Sequence, residues 1–335
     1  MKLRRFVQIV DTHTAGEPTR VVTGGLPRIP GESMIDRRHW LETAGASLRG
    51  FLLDEPRGHH DMFGAIVTPP ANTQADFGVI YLDNSGTLAM CGHGTIGVVT
   101  ALVSLGQVEQ DEIVLDTPAG LIRCRAERTN GEVKSVTFQN VPSFYLQTLD
   151  WNGISVHLSY GGNLFALVDA TSVGLQIDRH HLPELVETGM AIRTWVNQQA
   201  RVHHPETGAL LTIDLVEFYE ASDPDRNVVI FGDRQVDRSP CGTGTCAKMA
   251  FLHAMGKLTT GKDYHYRSIL GTEFMGRIVA ETTVGNVTGI IPEITGSAYV
   301  TAIGSLVLTE DDPFPSGFSL ERGGWVDVVS RSGDL

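Results

Sequence analysis

Apolar residues run from Phe6 to Val10 as a strand and give way to the polar stretch Asp11-Thr12-His13-Thr14-Ala15-Gly16-Glu17-Pro18-Thr19-Arg20, with a turn expected at Gly16 and Pro18. Ser33 fits a helix N-cap, and Ile35, Leu41, Leu48 and Leu52 carry apolar spacing through a helix over Met34 to Leu53. Ala65 to Thr68 and Phe77 to Leu82 read as strands, and Thr95 to Leu105 as a helix. Strands follow at Ile113 to Leu115, Leu121 to Arg125 and Val133 to Phe138, the last two joined by the turn Thr129-Asn130-Gly131.

The same order then starts again. Leu164 to Val168 is a strand after Gly161-Gly162-Asn163, and Leu182 to Asn197 is a helix. Leu215 to Tyr219 and Val228 to Phe231 are strands, and Thr245 to Leu258 is a helix. Further strands are expected at Arg277 to Glu281, Val287 to Ile291 and Ala298 to Ile303. The pattern therefore predicts a duplicated α/β unit of roughly 150 residues, a common domain size. The first unit covers 1–150 and the second 151–314. The Gly-, Pro- and Ser-rich tail, about 315–335, is expected to cross back to the first.

Each unit carries the same short device. Cys91-Gly92-His93-Gly94-Thr95 opens one helix, and Cys241-Gly242-Thr243-Gly244-Thr245 opens the other. A helix N-terminus offers N–H groups without intrahelical partners and the positive end of the dipole. That placement is expected to lower a thiol's pKa and to bind an anion such as a carboxylate. Two such thiols suggest a pair of acid–base groups facing one substrate. Cys124, in a strand, and Cys246, inside the helix, read as structural. Asp237 reads either as a turn acid or as a carboxylate for an ammonium group. His93 reads as a turn residue or, better, as a substrate contact, because Cys-x-His lacks metal-site spacing. No metal is expected.

Composition narrows the classes. The 335 residues exceed one typical domain, and mean hydropathy is near zero, as in globular proteins. A net charge of −13 without a basic cluster argues against nucleic acid and anionic membranes as partners. No apolar run approaches a membrane span. The basic start Met1-Lys2-Leu3-Arg4-Arg5 leads to Asp11 and reads as a first strand, not a signal peptide. Four cysteines in so long a chain make no disulfide framework, so reduced thiols and a cytoplasmic location are expected.

Met90-Cys91-Gly92-His93-Gly94 and Asp237-Arg238-Ser239-Pro240-Cys241-Gly242-Thr243-Gly244-Thr245 resemble the two signature motifs of the proline racemase family. The resemblance extends to Asp11–Pro18, Arg57-Gly58-His59, Asp116-Thr117-Pro118-Ala119-Gly120, Gly161-Gly162-Asn163 and Glu293-Ile294-Thr295-Gly296, and so spans nearly the whole chain. It implies a diaminopimelate epimerase-like α/β fold: two pseudo-symmetric domains, each a curved, mostly antiparallel sheet around a central helix. It implies that Cys91 and Cys241 are the acid–base pair. Gly92, His93, Gly242 and Thr243 would hold the substrate carboxylate, Asp237 and His93 the ring nitrogen, and Phe63 and Phe231 would line the ring pocket. It implies no cofactor, a small-molecule substrate (proline or hydroxyproline), and a homodimer as the candidate assembly. Racemisation of proline is the leading expectation, with 4-hydroxyproline 2-epimerisation as the alternative. Dehydration of trans-3-hydroxyproline is disfavoured by Cys241, where the dehydratases typically carry threonine. A non-catalytic thiol redox or ligand-binding protein is the alternative from another class.

Overall fold

The computed structural model describes residues 2–221 and 225–320. Its strands form two series that match ladder for ladder. In the first, Leu3–Thr14 pairs antiparallel with Glu17–Gly24, which runs parallel to Phe63–Thr68. Phe77–Leu82 continues antiparallel and lies parallel to Glu112–Thr117, followed by the antiparallel strands Gly120–Thr129 and Glu132–Gln139. In the second, Ile154–Tyr160 pairs antiparallel with Leu164–Asp169, which runs parallel to Ile213–Glu220. Asp225–Phe231 continues antiparallel and lies parallel to Asp263–Arg267, followed by antiparallel Glu273–Val284 and Val287–Gly296. Ser143–Trp151 pairs with Ile154–Tyr160 and touches Val287–Gly296, closing the second series into a barrel.

The strand from Ala298 belongs elsewhere than expected. The strand expected over Ala298 to Ile303 in the second unit runs from Ala298 to Thr309 and pairs with Leu3–Thr14, from Thr309 at one end to Ala298 at the other. It stands in the first series where Ser143–Trp151 stands in the second. Chain order cannot reveal this, because nothing local distinguishes a returning strand from a continuing one. Residues 312–318 also return to the first series. Arg57 pairs with Asp312 at 3.0 Å, and Phe318 N donates to Glu55 O at 2.8 Å. The rest of the expected tail, 321–335, lies outside the described residues.

Five helices are used below: α1 (Met34–Glu42), α2 (Ala46–Leu53), α3 (Gly92–Ser104), α4 (Leu182–Gln199) and α5 (Gly242–Ala254). The single helix expected over Met34 to Leu53 is two. Ser33 caps the first through a capping box with Asp36. Thr43 then leaves helical geometry at φ −112°, ψ −93°. The Trp40 ring lies over Gly45 so closely that a Cβ there would meet it at 2.6 Å. Ile35, expected on the buried stripe, is 64% exposed, and Met34, Arg37 and Leu41 face inward instead. The two-residue turn Asn130-Gly131 is as predicted, with φ of 53° and 82°, the left-handed pair that such a hairpin requires.

The core divides into three. One cluster surrounds α3 and α5 and is continuous between the two series. The second lies between a sheet face and α4, and the third between a sheet face and the α1–α2 pair. Every residue of α3 from Gly92 to Val103 is buried, as is every residue of α5 from Gly242 to Phe251. A helix apolar on all sides has no solvent face and belongs inside a protein. That is why α3 reads Ile-Gly-Val-Val-Thr-Ala-Leu-Val without a charge.

Candidate active site

The two central helices meet end to end at their N-termini. A Cβ built on Gly92 would lie 2.6 Å from Gly242 Cα, and one on Gly242 would lie 2.7 Å from Gly92 Cα. Phe138 closes the same spot, with Cζ 3.1 Å from either built Cβ. Only glycine lets the two backbones approach this closely. The unpaired N–H groups of two helices thus converge on one place.

A cysteine stands at each mouth. Cys91 is the N-residue before α3, with extended φ −141° and ψ 115°. Cys241 precedes α5 at φ 59°, a left-handed value that a side chain rarely adopts. Three contacts hold it there. Ser239 Oγ accepts from Cys241 N at 3.1 Å, Thr245 Oγ1 donates to Cys241 O at 2.8 Å, and Asn227 Nδ2 donates to Pro240 O at 2.7 Å. Gly244 N donates to Cys241 Sγ at 3.4 Å. The strained backbone therefore aims a thiol, with its own donor, at the helix junction.

Of the residues predicted for the site, the structure gathers these. The Phe63 and Phe231 rings lie 5.0 Å apart, and His93 meets Phe63 edge-on at 4.4 Å. His93 Nδ1 is 3.5 Å from Cys91 Sγ. Burial lowers the His93 pKa to about 3, so its ring is neutral near pH 7. Asp237 is buried, accepts from Ser239 N at 2.7 Å, and has a pKa raised to about 6, mainly by burial. Cys124 and Cys246 are buried apart from this chemistry, with Cys246 pushed up to about 12 by burial.

The thiols behave differently from the expectation for a helix mouth. Burial, reinforced by Asp237, pushes both well above the usual thiol range. Glu17 and Asp83 add to this at Cys91, and Glu217 at Cys241. The helix N–H groups do act in the expected direction, Gly94 on Cys91 and Gly244 on Cys241. They are outweighed because the thiols are buried among acidic groups, a combination that disfavours another negative charge.

Several site residues were not singled out from sequence. Glu17 is fully buried, and its Oε2 accepts from Arg238 N at 2.6 Å, next to Asp237. Arg238 in turn reaches Asp61 Oδ2 at 2.7 Å, tying the first series to the second beside the thiols. Glu217 and Lys248 are also buried, and Glu217 Oε2 lies against Gly244 in the Cys241 turn. A signal existed for Glu217: it sits within Leu215-Val216-Glu217-Phe218-Tyr219, a strand apolar on both faces, where a charge is out of place. Gly92, Gly94 and Gly97 also satisfy the spacing of a dinucleotide fingerprint. Here the first glycine abuts Gly242, and a Cβ on Gly97 would meet Thr12 Oγ1 at 2.6 Å, so these glycines serve packing. Cavities flank the site on two sides. One of about 590 Å³ reaches Phe231, and one of about 430 Å³ is lined by Asp61 and Arg238. Among the described residues no helix is long and apolar enough to cross a membrane.

Two matched halves that bring one thiol each to a shared, buried centre define an α/β enzyme of the racemase and epimerase class. The sequence profile of the proline racemase family matches residues 9–319. The chain is 45% identical to a proline racemase of Clostridioides difficile, over 96% of this chain and 100% of that one. It is 43% identical to a 4-hydroxyproline 2-epimerase of Streptosporangium roseum, with the same coverage. A solved hydroxyproline epimerase from Agrobacterium vitis, with bound trans-4-hydroxy-L-proline, superposes with a TM-score of 0.89 at 36% identity, covering 96% of this chain and 97% of that one. The chain belongs to the proline racemase family and is an isomerase.

Proposed function

We propose that this protein interconverts L- and D-proline by a two-thiol mechanism, with Cys91 and Cys241 as the acid–base pair. The observation that carries this reading is the Gly92–Gly242 contact, which sets one cysteine on each side of a single junction of helix N-termini. Inverting a Cα centre takes a proton from one face and returns one to the other, and the two mouths supply a group for each. One thiolate takes the Cα proton, and the C–H electron pair moves into the carboxylate. The opposite thiol then gives its proton to the other face of Cα. The N–H groups of Gly92, His93, Gly242 and Thr243 hold the carboxylate and stabilise the charge that builds on it.

The ring ammonium completes the electrostatics. Asp237 is a buried carboxylate that acts on both thiols, and the buried Glu17 acts on Cys91. A cation placed against Asp237 offsets their charge and eases ionisation of one thiol, so the base forms where substrate is bound. Replacing Asp237 with Ala is expected to lower kcat/KM for proline by about ten- to a hundredfold, the scale of one charge-assisted hydrogen bond. The circular dichroism spectrum is expected to stay unchanged. Wild-type kcat/KM in this variant would return Asp237 to a turn acid. The same thiols must remain reduced, which suits a cytoplasmic location.

Proline is preferred over hydroxyproline because Phe63 and Phe231 pack together as an apolar wall. A 4-hydroxyl without a partner there costs about 1–3 kcal/mol. Proline is therefore expected to exceed trans-4-hydroxy-L-proline in kcat/KM by roughly ten- to a hundredfold. Phe63→Ser is expected to narrow that gap. Polarimetry with the two amino acids side by side decides the matter. A faster loss of rotation with hydroxyproline would make the 4-hydroxyproline 2-epimerase reading correct and leave the thiol mechanism in place.

A further inference from the structure

The two series can be aligned by their ladders, strand against strand. Ala65 pairs with Val21 on one side and Tyr81 on the other. Glu217 pairs in the same two senses with Leu167 and Val229. Ala65 and Glu217 thus lie on matching strands of the two halves, and Phe63–Thr68, the strand of Ala65, carries no charged residue. Counting from the paired cysteines, Lys248 on α5 corresponds to Val98 on α3. The first half thus has an uncharged strand and Val98 where the second has the buried Glu217 and Lys248.

Glu217 is built into the Cys241 turn. Its Oε1 accepts from Tyr266 O–H at 2.6 Å. Its Oε2 is buried with no hydrogen-bond partner among the described residues. That oxygen lies against Gly244, where a Cβ would meet it at 2.2 Å. The same Gly244 donates its N–H to Cys241 Sγ. The other ionisable groups that act on the carboxylate are Lys248 and Asp237, and Cys246, Tyr219 and Tyr264 respond to it in turn. Lys248 Nζ sits over the Tyr219 ring, 2.8 Å from its centroid. Cys91 has no such neighbour behind it and faces Asp237, Glu17 and Asp83 instead.

We propose that Glu217 is a positioning residue that raises the proton affinity of Cys241 without acting on Cys91, so that each thiol is set by its own neighbouring carboxylates. A two-base enzyme needs one thiol and one thiolate at the start of each turnover. A carboxylate behind Cys241 alone favours the form in which Cys241 keeps its proton. Most of the carboxylate's effect is lost when it is neutral. Its own pKa, raised mainly by burial, is about 7.

The inference rests on the two-thiol reading, but its test does not need turnover. The intact protein is labelled with iodoacetamide slightly above neutral pH, and the rates at Cys91 and Cys241 are followed separately by peptide mass. Glu217→Gln keeps the shape and removes the charge. It is expected to speed labelling of Cys241 by about tenfold, the effect of one pKa unit on the thiolate fraction, and to change Cys91 by less than about twofold. Tyr266→Phe removes the donor that favours the ionised carboxylate, and is expected to speed Cys241 in the same direction by a smaller factor. It also decides the matter if Glu217→Gln fails to fold. An unchanged Cys241 rate in a folded variant, or equal acceleration at both cysteines, overturns the proposal. Racemisation assays run beside the labelling separate this from the function: a wild type inactive on both substrates would sink the function while leaving the labelling contrast to stand or fall by itself.

Discussion

Replacing either Cys91 or Cys241 with serine is expected to slow racemisation of L-proline by on the order of a hundred- to ten-thousandfold, the range for loss of a general acid or base. Serine is close in volume to cysteine, so the fold at two buried positions is preserved. A hydroxyl is a far weaker acid than a thiol, and it cannot serve as the base in a site already crowded by Asp237, with Glu17 beside Cys91 and Glu217 beside Cys241. Each single variant keeps one working thiol. It is therefore expected to exchange the Cα hydrogen of one enantiomer with solvent, and the two variants to act on opposite enantiomers. Proton exchange followed by nuclear magnetic resonance in heavy water checks this. Near-normal racemisation in either variant would remove that cysteine from the chemistry.

The second large effect is expected from a methyl group. Gly92→Ala or Gly242→Ala puts a Cβ within 2.7 Å of the opposite glycine's Cα. That contact is backbone on both sides, so no flexible side chain can yield, and the helix mouths must separate. Overpacking of this kind costs about 1–3 kcal/mol of stability. A displacement on the order of 1 Å between catalytic groups costs about a hundredfold in rate. Both variants are thus expected to lose at least that much activity and to melt earlier. Gly304→Ala serves as the control, because its position on Ala298–Thr309 is open, with nothing within 4 Å of a built Cβ. It is expected to change stability by no more than about 0.5 kcal/mol. Wild-type activity in Gly92→Ala would contradict the shared helix junction.

Local features were the legible ones. The paired Cys-Gly turns and the uncharged run of α3 declared themselves because each depends on a few adjacent residues. The Asn130-Gly131 turn did so because its backbone needs two left-handed residues in a row. Features that depend on distant partners were not legible. Ala298–Thr309 joins Leu3–Thr14 across almost the full length of the chain, and its own sequence does not say which strand it will meet. The break after Glu42 follows from Trp40 folding over Gly45, a tertiary preference that overrides an apolar spacing compatible with one helix. The thiols were read from the helix dipole alone. Their burial, and the gathering of Glu17, Asp237 and Glu217 around them, appear only once the two series are closed on each other. Glu17 illustrates the difficulty: within Gly16-Glu17-Pro18 it has the surroundings of an ordinary turn acid, yet it ends fully buried.

The most direct test of a two-thiol racemase is L-proline incubated with the enzyme in heavy water, sampled early. The account predicts that optical rotation falls toward zero. It also predicts that the newly formed D-proline carries deuterium at Cα while the remaining L-proline stays protiated, because one thiol removes the proton and the other delivers a different one. Unchanged rotation with both proline and trans-4-hydroxy-L-proline, or deuterium entering both enantiomers equally from the first turnovers, would contradict it.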